Sequence, residues 1–254
     1  MEGITVTDPR RGFEPAVVVA RLEATLRAGA SPERALKERA YLRSELEHLG
    51  AGVPAVRKAV RDAEKAAGRW VRAEVLAIVK ALWARRVHEL RLAAVELLGL
   101  ASDRLEPTDL RLLERLLRDC RTWALVDPLA LGAVARLVER EPDLASRLDR
   151  WAADEDFWVR RSALLALLPP LRRGDGDFGR FARYADAMLD EREFFIRKAI
   201  GWVLRDTGKR RPELVADWLT PRAHRLSGLT IREAVKPLPE ARRDALLGAS
   251  RRVR

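Results

Sequence analysis

Cysteine is nearly absent from this 254-residue chain. Cys120 stands alone, which excludes an internal disulfide and fits a reducing compartment. Histidine is scarce as well: His48, His88 and His224, even taken with Cys120, show no metal-ligand spacing, so no zinc, other metal or cofactor is expected. No apolar run approaches the roughly 18 residues of a bilayer-spanning helix. The opening MEGITVTDPRRGFEP carries acidic residues and no apolar segment of signal-peptide length. These absences lead us to expect a soluble, cytoplasmic protein, associated with the nucleoid if the source is bacterial. Segments that alternate with period two are few, which argues against a strand-rich fold.

What is present is charge on a helical background. Hydrophobic residues make up 48% of the chain and charged residues 34%, with 49 Lys+Arg against 38 Asp+Glu and a net charge of +11. A globular fold with a sizeable core follows. So does a polyanionic partner: nucleic acid is the first candidate and an anionic membrane surface the second. Ala, Leu, Arg and Glu dominate, all good helix formers. Their pattern predicts roughly twelve to fourteen helices of about 10–18 residues, among them 31–48 and 128–139. Residues 1–12 read as a loose arm ahead of a single domain over 13–250.

An internal echo organises these helices. Leu90-Arg91-Leu92-Ala93-Ala94 is similar to Val159-Arg160-Arg161-Ser162-Ala163, and both to Ile196-Arg197-Lys198-Ala199-Ile200. The offsets are 69 and 37 residues, the first close to twice the second. A repeat of about 35–40 residues made from two helices predicts an all-α superhelical solenoid of HEAT-like pairs. The basic residues of the echo would then line one face as a binding groove, the plainer alternative being a solvated surface of i,i+4 ion pairs.

One stretch has a different chemistry. RTWALVDPLA, Arg121 to Ala130, sets Trp123 and Asp127 four residues apart, which puts both on one helical face. An aromatic surface beside a carboxylate suits a cationic group within an otherwise anionic partner. The plainer alternative makes Asp127 an N-cap, Pro128 the first helical residue and Trp123 a packing residue. Trp158 and Trp202 stand close to the echoed basic residues, where aromatics suit sugar and base contacts; core packing is the default for each.

Five segments, in order, carry a resemblance. They are YLRSELEHLGAGVPAVRK (Tyr41 to Lys58), W-x-x-x-D at Trp123 and Asp127, WVRRSALL (Trp158 to Leu165), FFIRKAIGWVLR (Phe194 to Arg205) and LTIREAVK (Leu229 to Lys236). Together, over roughly Arg39 to Leu247, they resemble the AlkD-like DNA alkylation-repair glycosylases. The chain departs from that family's best-known pattern at Ala124-Leu125, where the pattern has a polar or acidic pair.

The resemblance implies an all-α stack of HEAT-like repeats that hydrolyses the N-glycosidic bond of cationic N3- or N7-alkylated purines in duplex DNA, without full base flipping. It makes Trp123 and Trp202 the active-site aromatics, Asp127 the essential carboxylate and Arg161 a phosphate clamp. Tyr41 and Arg57 correspond to DNA-contacting positions. Lys58, Arg160, Arg197, Lys198, Arg232 and Lys236 complete the residues expected at the DNA.

Charge then dictates a mechanism. An alkylated purine that is already cationic leaves without a general acid, and positive charge builds on the deoxyribose as in other glycoside hydrolyses. A fixed carboxylate stabilises that charge and can orient water. No lysine is placed as a Schiff-base nucleophile, so a monofunctional enzyme is expected, acting as a monomer without an obligate protein partner. The alternative is a non-catalytic HEAT-repeat protein that binds DNA structure. A protein-interaction scaffold comes third and would bind DNA weakly and with little dependence on salt.

Overall fold

The structure, a computed structural model, describes residues 13–251, so the arm expected at residues 1–12 lies outside the described residues. Among the described residues the chain is all-α, with no strand; an isolated parallel bridge joins Glu47 and Val87. No described helix is long and apolar enough to cross a membrane. The chain divides into two compact units, Met1–Arg104 and Leu105–Arg254.

The first unit holds α1 (Pro15–Ala28), α2 (Pro32–Leu42), α3 (Val53–Ala66), α4 (Arg72–Trp83) and α5 (His88–Leu100). α1, α3, α4 and α5 pack on one another around Leu22, Val56, Ile78, Leu82 and Leu90, all buried. α2 begins where Ser31 accepts from the Arg34 amide and Pro32 takes the first helical position. It buries none of its residues.

The helix predicted over 31–48 stops at Leu42. Arg43 turns left-handed with φ 50°, and the chain beyond it finds partners outside any helix. The amide of Glu47 donates to Arg86 O at 2.9 Å, and that of His88 donates to Glu47 O at 2.8 Å. Gly50 is needed in this stretch: its φ is +78°, and a Cβ there would lie 2.1 Å from Ser31 O.

The second unit continues with α6 (Leu110–Cys120), α7 (Trp123–Leu129), α8 (Ala135–Arg140), α9 (Ala145–Trp151), α10 (Phe157–Ala166), α11 (Leu168–Arg173), α12 (Phe178–Ala187), α13 (Phe194–Gly208), α14 (Pro212–Leu219), α15 (Gly228–Ala234) and α16 (Glu240–Arg251). Asp156, Asp177, Glu193 and Ser227 cap α10, α12, α13 and α15, each accepting a first-turn amide. α10 sits among α7, α9 and α13, while α13 packs closely on α15. That last approach is allowed by Gly201, where a Cβ would come within 2.9 Å of Glu233 Cβ.

The repeat is written into the polar contacts. Asp127–Arg161, Glu139–Arg173 and Arg172–Asp206 are joined at a separation of 34 residues, Asp149–Tyr184 at 35 and Asp186–Arg222 at 36. In the first unit Arg69 pairs with Asp103, again 34 residues on. Each bond ties a position to its equivalent in the next repeat, which agrees with the period seen in the sequence. Of the echoed arginines, expected to line a face turned to a ligand, Arg91 lies over the Trp83 ring at 4.9 Å, and Arg160, Arg161 and Arg197 are engaged with neighbouring repeats or loops.

Candidate active site

The helix bearing Trp123 and Asp127 starts earlier than predicted. Thr122, not Asp127, is the N-cap, its hydroxyl accepting from the Ala124 amide, and Trp123 is the first helical residue. Asp127 therefore lies inside α7, one turn beyond Trp123. Pro128 falls in the helix interior, where it lacks an N–H and crowds the carbonyl four residues back. The chain absorbs this in a π turn over Ala130–Val134 before α8.

Arg161, on α10, meets this carboxylate squarely. Its Nε donates to Asp127 Oδ1 at 2.7 Å and its Nη2 to Oδ2 at 2.7 Å, while Nη1 donates to Phe195 O at the start of α13. The Phe195 ring lies 5.9 Å from the guanidinium carbon. This fork-on-fork pairing is the strongest geometry open to an arginine. The two partners differ in depth: the Arg161 side chain is 2% exposed and that of Asp127 12%. A free guanidinium reaching for a phosphate was expected at Arg161. Both side chains are buried, the carboxylate less deeply than the guanidinium.

Three tryptophans stand on the helices of this region, Trp123 on α7, Trp158 on α10 and Trp202 on α13. Trp123 is half-buried. Trp158, 8% exposed, packs on Phe157 and Phe195 with ring centroids 4.5 and 4.8 Å away, which is the core role that is the default for tryptophan. Trp202, half-buried on α13, donates its indole N–H to Asp206 Oδ2 at 3.1 Å.

Asp206 is a hub that the sequence did not announce. It also accepts from Arg172 at 2.6 Å and Lys209 at 2.8 Å, and is 3% exposed. Burial alone would raise its pKa, but the hydrogen bonds of Lys209 and Arg172 overcome that and hold it at about 2. Asp206 therefore restrains the Trp202 indole at its N–H. The signal available beforehand was only the i,i+4 spacing of the two residues on one helix.

The residues expected at the DNA fall into two groups. In the second unit Lys198, Arg232 and Lys236 are exposed, and Lys236 pairs with Glu233. The ammonium of Lys198 stands 5.7 Å over the ring of Phe194, a 51% exposed aromatic that sequence reasoning passed over. Arg160 is bound through both Nε and Nη2 to Glu191, at 2.9 Å each, and Arg197 donates to Glu191 O. In the first unit Tyr41 is 74% exposed, Arg57 pairs with Glu96 at 2.9 Å, and Lys58 pairs with Asp62 one turn along.

A profile of the family described as DNA alkylation repair enzyme matches residues 22–238. This chain belongs to that family. Among solved structures it is similar to a predicted DNA alkylation repair enzyme from Enterococcus faecalis, with a TM-score of 0.74 and 23% identity over 83% of this chain and 97% of that one. AlkD2 from Streptococcus mutans matches with a TM-score of 0.63 and 18% identity, over 89% of this chain and 99% of that one. The smu.31 protein of Streptococcus mutans UA159 matches with a TM-score of 0.61 and 18% identity, over 89% and 100%. At these identities the likeness is one of fold, the all-α helical repeat. No curated protein matches. Membership in the repair family agrees with a DNA substrate and with the positive net charge.

Proposed function

We propose that this member of the DNA alkylation repair family is a monofunctional glycosylase that releases cationic N3- or N7-alkylated purines from duplex DNA without full base flipping. The observation that carries the reading is the carboxylate of Asp127, one turn from Trp123 on α7 and the more exposed half of its ion pair. An alkylated purine departs as a neutral base, so the protein's task is to favour the positive charge left on the sugar. Each Asp127 oxygen accepts one bond from Arg161 and keeps a further lone pair for the sugar or for a water.

Magnitudes decide whether an ion-paired carboxylate can serve. At an effective dielectric of about 20, a carboxylate about 4 Å from the sugar contributes about 4 kcal/mol, and a guanidinium about 8 Å away takes back about 2. The net of about 2 kcal/mol corresponds to roughly thirtyfold in rate. Arg161 is then a positioning residue: it weakens the field of Asp127 and fixes where that field points. Trp123 and Trp202 supply electron-rich faces for the cationic lesion and the sugar edge, and Lys198 and Arg232 supply phosphate contacts.

The test is release of 7-methylguanine from methylated duplex DNA, comparing the natural chain with Asp127→Asn. Release that persists in the variant, or is absent from the natural chain, defeats the proposal. A second reading, DNA binding without chemistry, is favoured by one observation: Asp127–Arg161 recurs 34 residues apart just as Arg172–Asp206 does, as a brace between repeats would. On that reading the natural chain binds DNA and releases no base.

A further inference from the structure

Four titratable side chains of the first unit have no part in the site above. Glu38 sits on α2, His48 on the extended stretch that follows, and His88 and Glu89 on the first turn of α5. The bridge between Glu47 and Val87 brings the two histidines face to face, with ring centroids 4.5 Å apart and planes 7° from parallel. His48 is 9% exposed, and neither its Nδ1 nor its Nε2 has a hydrogen-bond partner; Nδ1 of His88, 6% exposed, lacks one too. Buried polar atoms are nearly always partnered, so an imidazole with both nitrogens orphaned points to a missing ligand. One nitrogen of His48 and one carboxylate oxygen from each of Glu38 and Glu89 lie within 4.8 Å of one another.

We propose that Glu38, His48 and Glu89 bind a single divalent transition-metal cation of the zinc type, which ties α2 and the stretch after it to α5. One imidazole nitrogen and two carboxylate oxygens form a donor set that zinc accepts, leaving a fourth position for water. Donors about 2.1 Å from a tetrahedral ion stand about 3.4 Å apart, so from separations within 4.8 Å the site has to close by at most roughly 1.4 Å.

The side chains permit that closure. Glu38 is on the helix that buries nothing, and its present partner is Arg34 at 2.6 Å, an ion pair whose arginine is half exposed and which a divalent cation outcompetes. Glu89 is 0% exposed and already oriented. Its Oε1 accepts from the amides of Leu49, Gly50 and Ala51, while Oε2 accepts only from Leu49 and keeps a lone pair for an ion.

The acidic ligands stand 10 residues before and 41 residues after the histidine, a spacing that no linear metal motif would flag.

The experiment uses the full chain, stripped with a chelator and titrated with zinc chloride against a chromogenic zinc competitor, with thermal unfolding followed in parallel. One equivalent should bind and raise the unfolding midpoint. Glu38→Gln and His48→Gln should each weaken binding at least tenfold, whereas His224→Gln, at an exposed histidine outside the cluster, should bind as the natural chain does. Absence of stoichiometric binding, or binding that Glu38→Gln leaves unchanged, overturns the proposal. Should His48→Gln fail to fold, the partly exposed Glu38 decides the matter alone.

Discussion

Asp127 and Arg161 grip each other through two 2.7 Å hydrogen bonds, with the arginine the deeper partner. Breaking such a pair from either side leaves a buried charge uncompensated, at a cost of about 3–5 kcal/mol. Asp127→Asn retains an oxygen acceptor for Arg161 and so should fall at the low end, about 3 kcal/mol, in a denaturant titration. The same substitution should reduce base release by at least roughly thirtyfold while DNA affinity stays within a few fold. Loss of stability with release intact would make the pair a brace and nothing more.

Arg161→Ala separates two roles for the arginine. A phosphate clamp, when removed, lowers the slope of log affinity against log salt by about one. A side chain 2% exposed and bound to Asp127 and Phe195 O should leave that slope unchanged and destabilise the fold. Lys198→Ala, at an exposed lysine over Phe194, should show the converse: a slope lower by about one with stability nearly unaltered. Binding measured at several salt concentrations for both variants decides between them.

Trp202 and Asp206 form the next link. Asp206→Asn keeps an acceptor for the indole N–H while weakening the hold of Arg172 and Lys209, and should cost about 2 kcal/mol with release within about threefold of the natural chain. Asp206→Ala frees the indole and should cut release by about tenfold. The aspartate's pKa of about 2 is depressed, so its stabilisation is complete above the unfolded value near 3.8 and is lost as pH falls towards 2. Equal release from the two variants would detach Asp206 from the positioning of Trp202.

Much of this was legible in the sequence, and the illegible part has a physical reason. The 37-residue echo and the Trp123–Asp127 spacing are local patterns, and both reappear as repeat-to-repeat contacts and as one face of α7. The partner of an arginine is not a local property. Nothing around Arg160 or Arg161 announces Glu191 or Asp127, 31 and 34 residues away, so buried braces read as a basic lining. The end of α2 at Leu42 was hidden because Arg43, Glu45, Leu46 and Glu47 beyond it are good helix formers, whereas Glu47 pairs with Arg86 and His88 across the fold. The helix of Asp127 was placed late because Asp-Pro reads as a start, whereas Thr122 had already provided one.

The brace between α9 and α12 offers a test of the repeat itself. Tyr184, 5% exposed, donates to Asp149 Oδ1 at 2.7 Å, 35 residues before it. Burial raises the pKa of its phenol well above the ordinary value of 10, and the Asp149 hydrogen bond and charge raise it further, against a lesser lowering by Arg180. A group with a raised folded pKa lends stability that is complete below the unfolded value and is lost as pH rises beyond it. Stability should therefore fall above pH 10 by about 1.4 kcal/mol per pH unit from this group. The chain has two tyrosines, so Tyr41→Phe leaves Tyr184 as the sole reporter. Its phenolate absorbance near 295 nm should appear only together with unfolding, and Asp149→Asn should bring that transition to lower pH. A phenolate that forms near pH 10 while the helices remain intact would mean that the Asp149–Tyr184 bond does not hold these repeats together.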